Sequence, residues 1–250
     1  MNKKTARRRV VLGALLLLAV VASVWLYITN TRVGCTLYTV QDSNIPDGFK
    51  GYKLAQVSDL HCANFDQVIQ ILKEQQPDII AITGDLLDSY HPNVNKVLDF
   101  AANAMEIAPC YYVTGNHEAR LGEEYSQLDE GLRSAGVIML QQTGVEIERG
   151  GDRLYLMGID DPECMFPPEK DEQLMQENIR QLIQQTGITE GYRILLSHRA
   201  EGFEAYCQEG INLVLSGYAH GGQVRLPLVG GVYAPGQGLL PKYTQGMYRR

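Results

Sequence analysis

Runs of four or five apolar residues recur along this chain, separated by longer stretches in which apolar residues return every third or fourth position. A short continuous run between turn residues fits a buried strand, and the wider spacing fits an amphipathic helix. Strands are expected at Lys53–Val57, Ile79–Thr83, Cys110–Val113, Val137–Leu140, Val145–Glu148, Leu154–Met157, Arg193–Leu196 and Asn212–Leu215. Helices are expected at Phe65–Gln76, Val94–Met105, Glu124–Ala135, Glu169–Gln185 and Phe203–Cys207. In the first of these, Phe65, Val68, Ile69 and Leu72 share one face. Cys35–Val40 alternates well enough for an edge strand, and Asn44-Ile45-Pro46-Asp47-Gly48 is a turn signal. The alternation predicts an α/β domain with helices packed on the faces of a mainly buried sheet.

One stretch breaks the rhythm. Val10–Ile28 is 19 residues without a charge, about 28 Å as a helix and close to the hydrocarbon thickness of a bilayer. Arg7-Arg8-Arg9 precedes it, which favours a cytoplasmic amino terminus and an outer-side body from about Arg32 onward. The expected division is a basic tail and membrane anchor over 1–31 and a single domain over 32–250. The competing expectation is a cleaved signal peptide and a secreted product, with Ala19-Val20-Val21-Ala22-Ser23 as a weak cleavage site. The apolar run continues past that site to Ile28, which favours the uncleaved anchor. Arg8-Arg9-Val10-Val11-Leu12 also loosely matches a twin-arginine export signal.

Charge sharpens the picture. The first 32 residues hold six of the 22 basic side chains and none of the 29 acidic ones, so the remainder carries a formal −13. An acidic body argues against a nucleic-acid partner, which calls for a basic face. The five cysteines (Cys35, Cys62, Cys110, Cys164 and Cys207) form no close pair, so neither a zinc-ribbon nor a thioredoxin-type site is indicated. Cys110 sits in an apolar run as a core thiol. Cys62 adjoins His61 without thereby becoming a ligand.

The chemistry lies in five polar clusters, each following or adjoining an apolar run: Ser58-Asp59-Leu60-His61, Gly84-Asp85, Gly115-Asn116-His117-Glu118, Ser197-His198-Arg199, and Ser216-Gly217-Tyr218-Ala219-His220-Gly221-Gly222. They fall at the carboxyl ends of the expected strands, where loops converge in layered α/β folds. Asp, Asn and His are the donors a two-metal hydrolytic centre requires. Mixed ligation of this kind suits Mn²⁺, Fe or Zn²⁺ better than Mg²⁺ or Ca²⁺ alone.

Taken together, the runs SDLH, GD, GNHE, SH and GxAHGGQ between Leu54 and Gln223 resemble the calcineurin-like metallophosphoesterase family. The resemblance is strongest to its bacterial membrane-anchored phosphodiesterase branch. It implies a four-layer β-sandwich of two mixed sheets flanked by helices, with two metals at the sheet ends and a metal-bridging hydroxide that attacks phosphorus. Asp59, His61 and His220 would hold the first metal, Asp85 would bridge, and Asn116 and His198 would hold the second. His117 would protonate the leaving oxygen or stabilise transition-state charge. Glu118 would orient His117 or be structural, and Arg199 would contact a substrate phosphate or form a surface ion pair.

Tyr218 departs from that pattern, which has a second-metal His at its position. A phenol is a poor ligand for Mn²⁺ or Zn²⁺ unless the metal lowers its pKa. Three alternatives follow: a weak second metal assembled with substrate, direct ligation by Tyr218, or a crippled or one-metal centre. The pattern also continues past the equivalent of Tyr243–Tyr248, so a short or truncated carboxyl end is expected. The functional expectation is a phosphohydrolase acting on a phosphodiester or pyrophosphate bond, with a lipid-linked or envelope substrate suggested by the anchor. The alternative is a catalytically impaired protein that binds metal or phosphate.

Overall fold

The computed structural model describes residues 3–162, 172–226 and 229–250. Residues cluster into two compact units, Met1–Leu37 and Tyr38–Arg250. The first is dominated by helix α1, Lys3–Thr31, whose stretch Arg7–Ile28 is long and apolar enough to cross a membrane. Val10, Leu12, Leu16, Leu17 and Leu18 are all well over half exposed on it. A helix apolar all round suits a lipid environment better than water.

The second unit is layered. Strands β1 (Leu54–Val57), β2 (Ile79–Thr83), β3 (Cys110–Val113) and β4 (Ile138–Met139) form a parallel sheet in the order β1-β2-β3-β4. Helices α2 (Phe65–Gln75), α3 (Val94–Met105) and α5 (Glu123–Ser134) provide the crossovers, and a single turn, α4 (Asn116–Ala119), follows β3. Parallel neighbours need such crossovers, because a hairpin reverses direction. The second sheet, β5-β6-β7-β8, is mixed. Strands β5 (Thr143–Arg149) and β6 (Asp152–Gly158) pair antiparallel, while β7 (Tyr192–Arg199) and β8 (Leu213–Gly217) extend the sheet in parallel. Helices α6 (Glu172–Thr186) and α7 (Phe203–Gln208) belong to this half. The residues before Glu172 in the expected helix, and Cys164, lie outside the described residues.

Alternation along the strands builds the sandwich. Ile79, Ala81, Tyr111 and Val113 of the first sheet pack against Leu154, Leu156, Ile194 and Leu196 of the second. Met157 and Leu195, pointing the other way, join Met175, Ile179 and Leu182 of α6 and Ala205 and Tyr206 of α7. The intervening positions of β2 and β3 are also apolar and buried, so both strands are covered on two faces, as parallel strands require. Asn93 caps α3, its side-chain oxygen accepting from Lys96 N–H at 3.1 Å.

One expectation changes, and one sheet was not foreseen. Cys35–Val40 is not a strand; it has no ladder partner among the described residues, and Leu37 and Tyr38 are exposed. Period-two patterning forms a strand only where a neighbour completes the hydrogen bonds. The chain after Gly222 adds a small antiparallel sheet, β11-β10-β9, from Gly238–Leu239, Gly230–Ala234 and Val224–Leu226.

A candidate metal centre at the strand ends

Parallel strands bring their carboxyl ends to one edge, and the five clusters meet there. Asp59 follows β1, Asp85 follows β2, Asn116 follows β3, His198 closes β7, and Tyr218 and His220 follow β8. Backbone conformation marks the same place. Asp59 (φ 56°), His61 (47°), Asp85 (53°), Tyr218 (66°) and His220 (49°) are all left-handed. Non-glycine residues occupy that region at a cost, and clusters of them are a mark of functional sites. Two glycines make the convergence possible. A Cβ at Gly115 would collide with the Asp85 carboxylate, and one at Gly217 would strike Ser58 Oγ and lie 2.5 Å from Asp59 Oδ2.

The donor atoms of Asp59, His61, Asp85 and His220 lie within 4.8 Å of one another. Ligand bonds of about 2.0–2.2 Å place two donors of one ion no more than about 4.4 Å apart. A closure of a few tenths of an ångström would therefore let this group grip a divalent ion, and its donor chemistry fits one. His220 Nε2 lies 3.5 Å from Asp59 Oδ1, and His61 Nε2 lies 3.9 Å from Asp85 Oδ2. Two backbone bonds, from Tyr218 N–H to Asp59 Oδ1 (3.1 Å) and Oδ2 (3.2 Å), orient the Asp59 carboxylate. Burial pushes the His61 imidazole down, which keeps it neutral and able to ligate.

A second half-site adjoins the first through Asp85. His198 Nε2 is 3.3 Å from Asp85 Oδ2 and 3.1 Å from the Asn116 side-chain amide. His198 Nδ1 lies 2.7 Å from Thr83 O, so Nδ1–H donates there and Nε2 faces the centre. With Nε2 carrying a proton, the Asn116 side-chain oxygen is the atom that faces it, and that oxygen is what Asn116 would offer to a metal. Burial pushes His198 down, but its hydrogen bond to Asp85 and the charges of Asp85 and Asp59 raise it overall. Burial pushes Asp85 up, and the bond and charge of His198 with the His117 N–H outweigh it and hold the carboxyl low.

Glu118 holds this frame, together with Ser89, which the sequence patterning passed over. Glu118 is buried, and its Oε2 accepts from the N–H groups of Asp85 and Gly115 at 2.8 Å each. Its Oε1 accepts from Leu87 N–H at 3.2 Å. Glu118 thus ties the two metal loops together rather than orienting the His117 ring. Burial and the Asp85 charge push its carboxyl up, and the three N–H bonds oppose that shift. His117 Nδ1 accepts from Ser89 N–H at 3.0 Å, with Asp88 Oδ1 3.5 Å away. That bond leaves Nε2 as the protonated nitrogen of the neutral ring. The ring of His61 lies edge-on to that of His117 at 4.4 Å, so the His117 ring stands at the rim of the centre.

Arg199 is neither a surface ion pair nor a free fork. It is buried, and its Nε and Nη2 bond to Asp161 Oδ2 and Oδ1 at 2.5 and 2.8 Å. Asp161 is itself held by Thr114 Oγ1, which accepts from its N–H at 3.1 Å. Cys62 turns its sulfur toward Asn93 O, 4.0 Å away, and stands outside the ligand group.

The family model for calcineurin-like phosphoesterases matches residues 52–217. The uncharacterized metallophosphoesterase YkuE of Bacillus subtilis is 29% identical over 236 residues, covering 89% of this chain and 76% of that one. Phosphodiesterase YaeI of Escherichia coli is 30% identical over 200 residues, covering 76% of this chain and 68% of the relative. A transmembrane protein with metallophosphoesterase domain from Danio rerio is 28% identical over 191 residues, 72% of this chain but 43% of that protein. The matched region takes in every strand from β1 to β8 and the first four clusters whole, and this chain belongs to the calcineurin-like phosphoesterase family of metal-dependent phosphoric ester hydrolases.

Proposed function

We propose that the chain is a membrane-anchored phosphohydrolase that cleaves a phosphodiester or pyrophosphate bond, with its catalytic domain on the outer side of the cell membrane. The observation that carries this reading is the convergence of Asp59, His61, Asp85 and His220 beside Asn116 and His198. Asp59, His61 and His220 would hold one ion, Asp85 would be shared, and Asn116 and His198 would face the second. Divalent ions such as Mn²⁺, Fe or Zn²⁺ bound there supply Lewis acidity toward the phosphoryl oxygens and an activated water.

The chain's own residues supply the rest. Asp85, held ionised by His198 and the His117 N–H, provides negative charge to both halves. His117, with Nδ1 engaged by Ser89, presents Nε2–H to a phosphoryl or leaving oxygen, where it donates a hydrogen bond or a proton. The apolar helix Arg7–Ile28 favours a substrate that is itself lipid-linked or part of the envelope. A second reading, a catalytically impaired metal- or phosphate-binding protein, draws on Tyr218 in place of a nitrogen ligand.

A substrate panel separates the two. Full-length protein in detergent, stripped with chelator and reloaded with Mn²⁺, is expected to cleave aryl phosphodiesters or nucleotide-linked pyrophosphates only when reloaded. Bound metal without turnover on any diester, pyrophosphate or lipid-linked phosphoester would favour the binding reading.

A further inference from the structure

The surroundings of Tyr218 explain how the second half-site can differ from the first. The Tyr218 side chain is buried. The Arg199 guanidinium carbon lies over its ring, 3.9 Å from the centroid. Arg199 cannot easily leave, because Asp161 takes two of its nitrogens and Glu201 Oε1 lies 3.7 Å from a third. The His198 ring meets Tyr218 at 65° with centroids 5.4 Å apart. Gly236 closes another side, where even a Cβ would come within 2.8 Å of Tyr218 Cε1. The tyrosine is therefore fixed by its ring. A guanidinium on an aromatic face is held by the ring quadrupole, more strongly when desolvated, and Arg suits such stacking because its plane is rigid and always charged.

We propose that Tyr218 is a stacked, non-ligating residue, so that the Asp161–Arg199–Tyr218 unit occupies the place of a fourth protein ligand at the second metal position. The inference rests on the metal-centre reading above. The first position draws on Asp59, His61, Asp85 and His220, whereas among the described residues the second draws on Asp85, Asn116 and His198. The chain then holds one ion tightly and a second only in rapid exchange. Asp161 and Arg199 are positioning residues in this arrangement; they act on the centre through the tyrosine ring.

The test is metal stoichiometry and Mn²⁺ electron paramagnetic resonance on the full-length protein in detergent after desalting, with Tyr218→His and Tyr218→Phe in parallel. The parent is expected to retain one Mn²⁺ per chain with a mononuclear signal, and Tyr218→Phe to match it because the ring stack survives. Tyr218→His is expected to retain two, with an exchange-coupled signal. Two tightly held, coupled ions in the parent would overturn the inference while leaving the metal-centre reading intact. Loss of metal in Tyr218→Phe would overturn it by making the phenol a ligand, and a Tyr218→His protein that stays at one ion would overturn the role given to Tyr218. A parent that retains no metal would overturn both this inference and the metal-centre reading.

Discussion

Glu118→Gln isolates what holds the metal loops in place. The substitution keeps the side chain's shape and removes one acceptor. Three N–H groups depend on that carboxylate, those of Asp85 and Gly115 at 2.8 Å and that of Leu87 at 3.2 Å. The amide does best with its oxygen in the Oε2 place, which preserves the first two bonds. Its NH₂ then faces the Leu87 N–H, donor against donor, in a side chain 1% exposed. An unsatisfied buried donor costs about 1–3 kcal/mol. The two remaining bonds lose their charge assistance, about another 1 kcal/mol. Relief of the burial and Asp85 repulsion that push Glu118 up offsets part of this, leaving about 2–3 kcal/mol. For a domain of this size that lowers Tm by about 4–12 °C. Thermal unfolding of metal-saturated parent and variant at about pH 8, where an ordinary carboxyl is ionised, reads the difference. A variant that melts within about 2 °C of the parent would refute the three-bond anchor.

Three further outcomes follow from the same geometry. His198 is raised, so its protonated form stabilises the metal-free protein below about pH 6.5, and that contribution is lost as pH rises through the raised value; Asp85 is lowered, so its contribution is present above about pH 4 and lost as pH falls through the lowered value. Metal must displace the His198 proton, so the Tm gap between Mn²⁺-loaded and chelator-treated protein should widen from about pH 6 to about pH 9, and a constant gap would contradict the assignment. Gly217→Ala should abolish metal retention, because its Cβ would displace Ser58 and Asp59, whereas Gly34→Ala, with nothing within 4 Å, should behave as the parent; equal metal content in both would count against the close packing. His117→Asn should lower turnover by about 10²–10⁴-fold with metal content unchanged, and metal loss in that variant would make His117 a ligand rather than a rim donor.

Much of the candidate site was legible because each proposed ligand stands in a short polar cluster beside an apolar run that fits a buried strand. Asp59, Asp85, Asn116 and His198 needed nothing more than their strand ends to be brought together. The supporting residues were not legible in the same way. Asp161 meets Arg199 across 38 positions, and Glu118 reaches back 33 to Asp85; no local pattern encodes such pairings. Ser89 contributes through its backbone N–H, which every non-proline residue carries. The fold shows the same division. Strands such as Ile79–Thr83, buried on both faces, announce themselves by composition. Cys35–Val40 carries an alternation that no neighbour completes. The sheet after Gly222 uses strands of two to five residues with glycines at Gly230 and Gly231, too short and too glycine-rich to show a period.

The central claim is that these strand-end loops form a metal-dependent phosphoester hydrolysis site, and Asp85, shared by both halves, is its most exposed point of test. The measurement is Mn²⁺-dependent phosphodiester cleavage by the full-length protein and by Asp85→Ala, prepared identically and matched for folding by thermal unfolding. The account predicts turnover in the parent, abolished by chelator and restored by Mn²⁺, and none in the variant under any metal. Turnover that survives Asp85→Ala would contradict the site assignment.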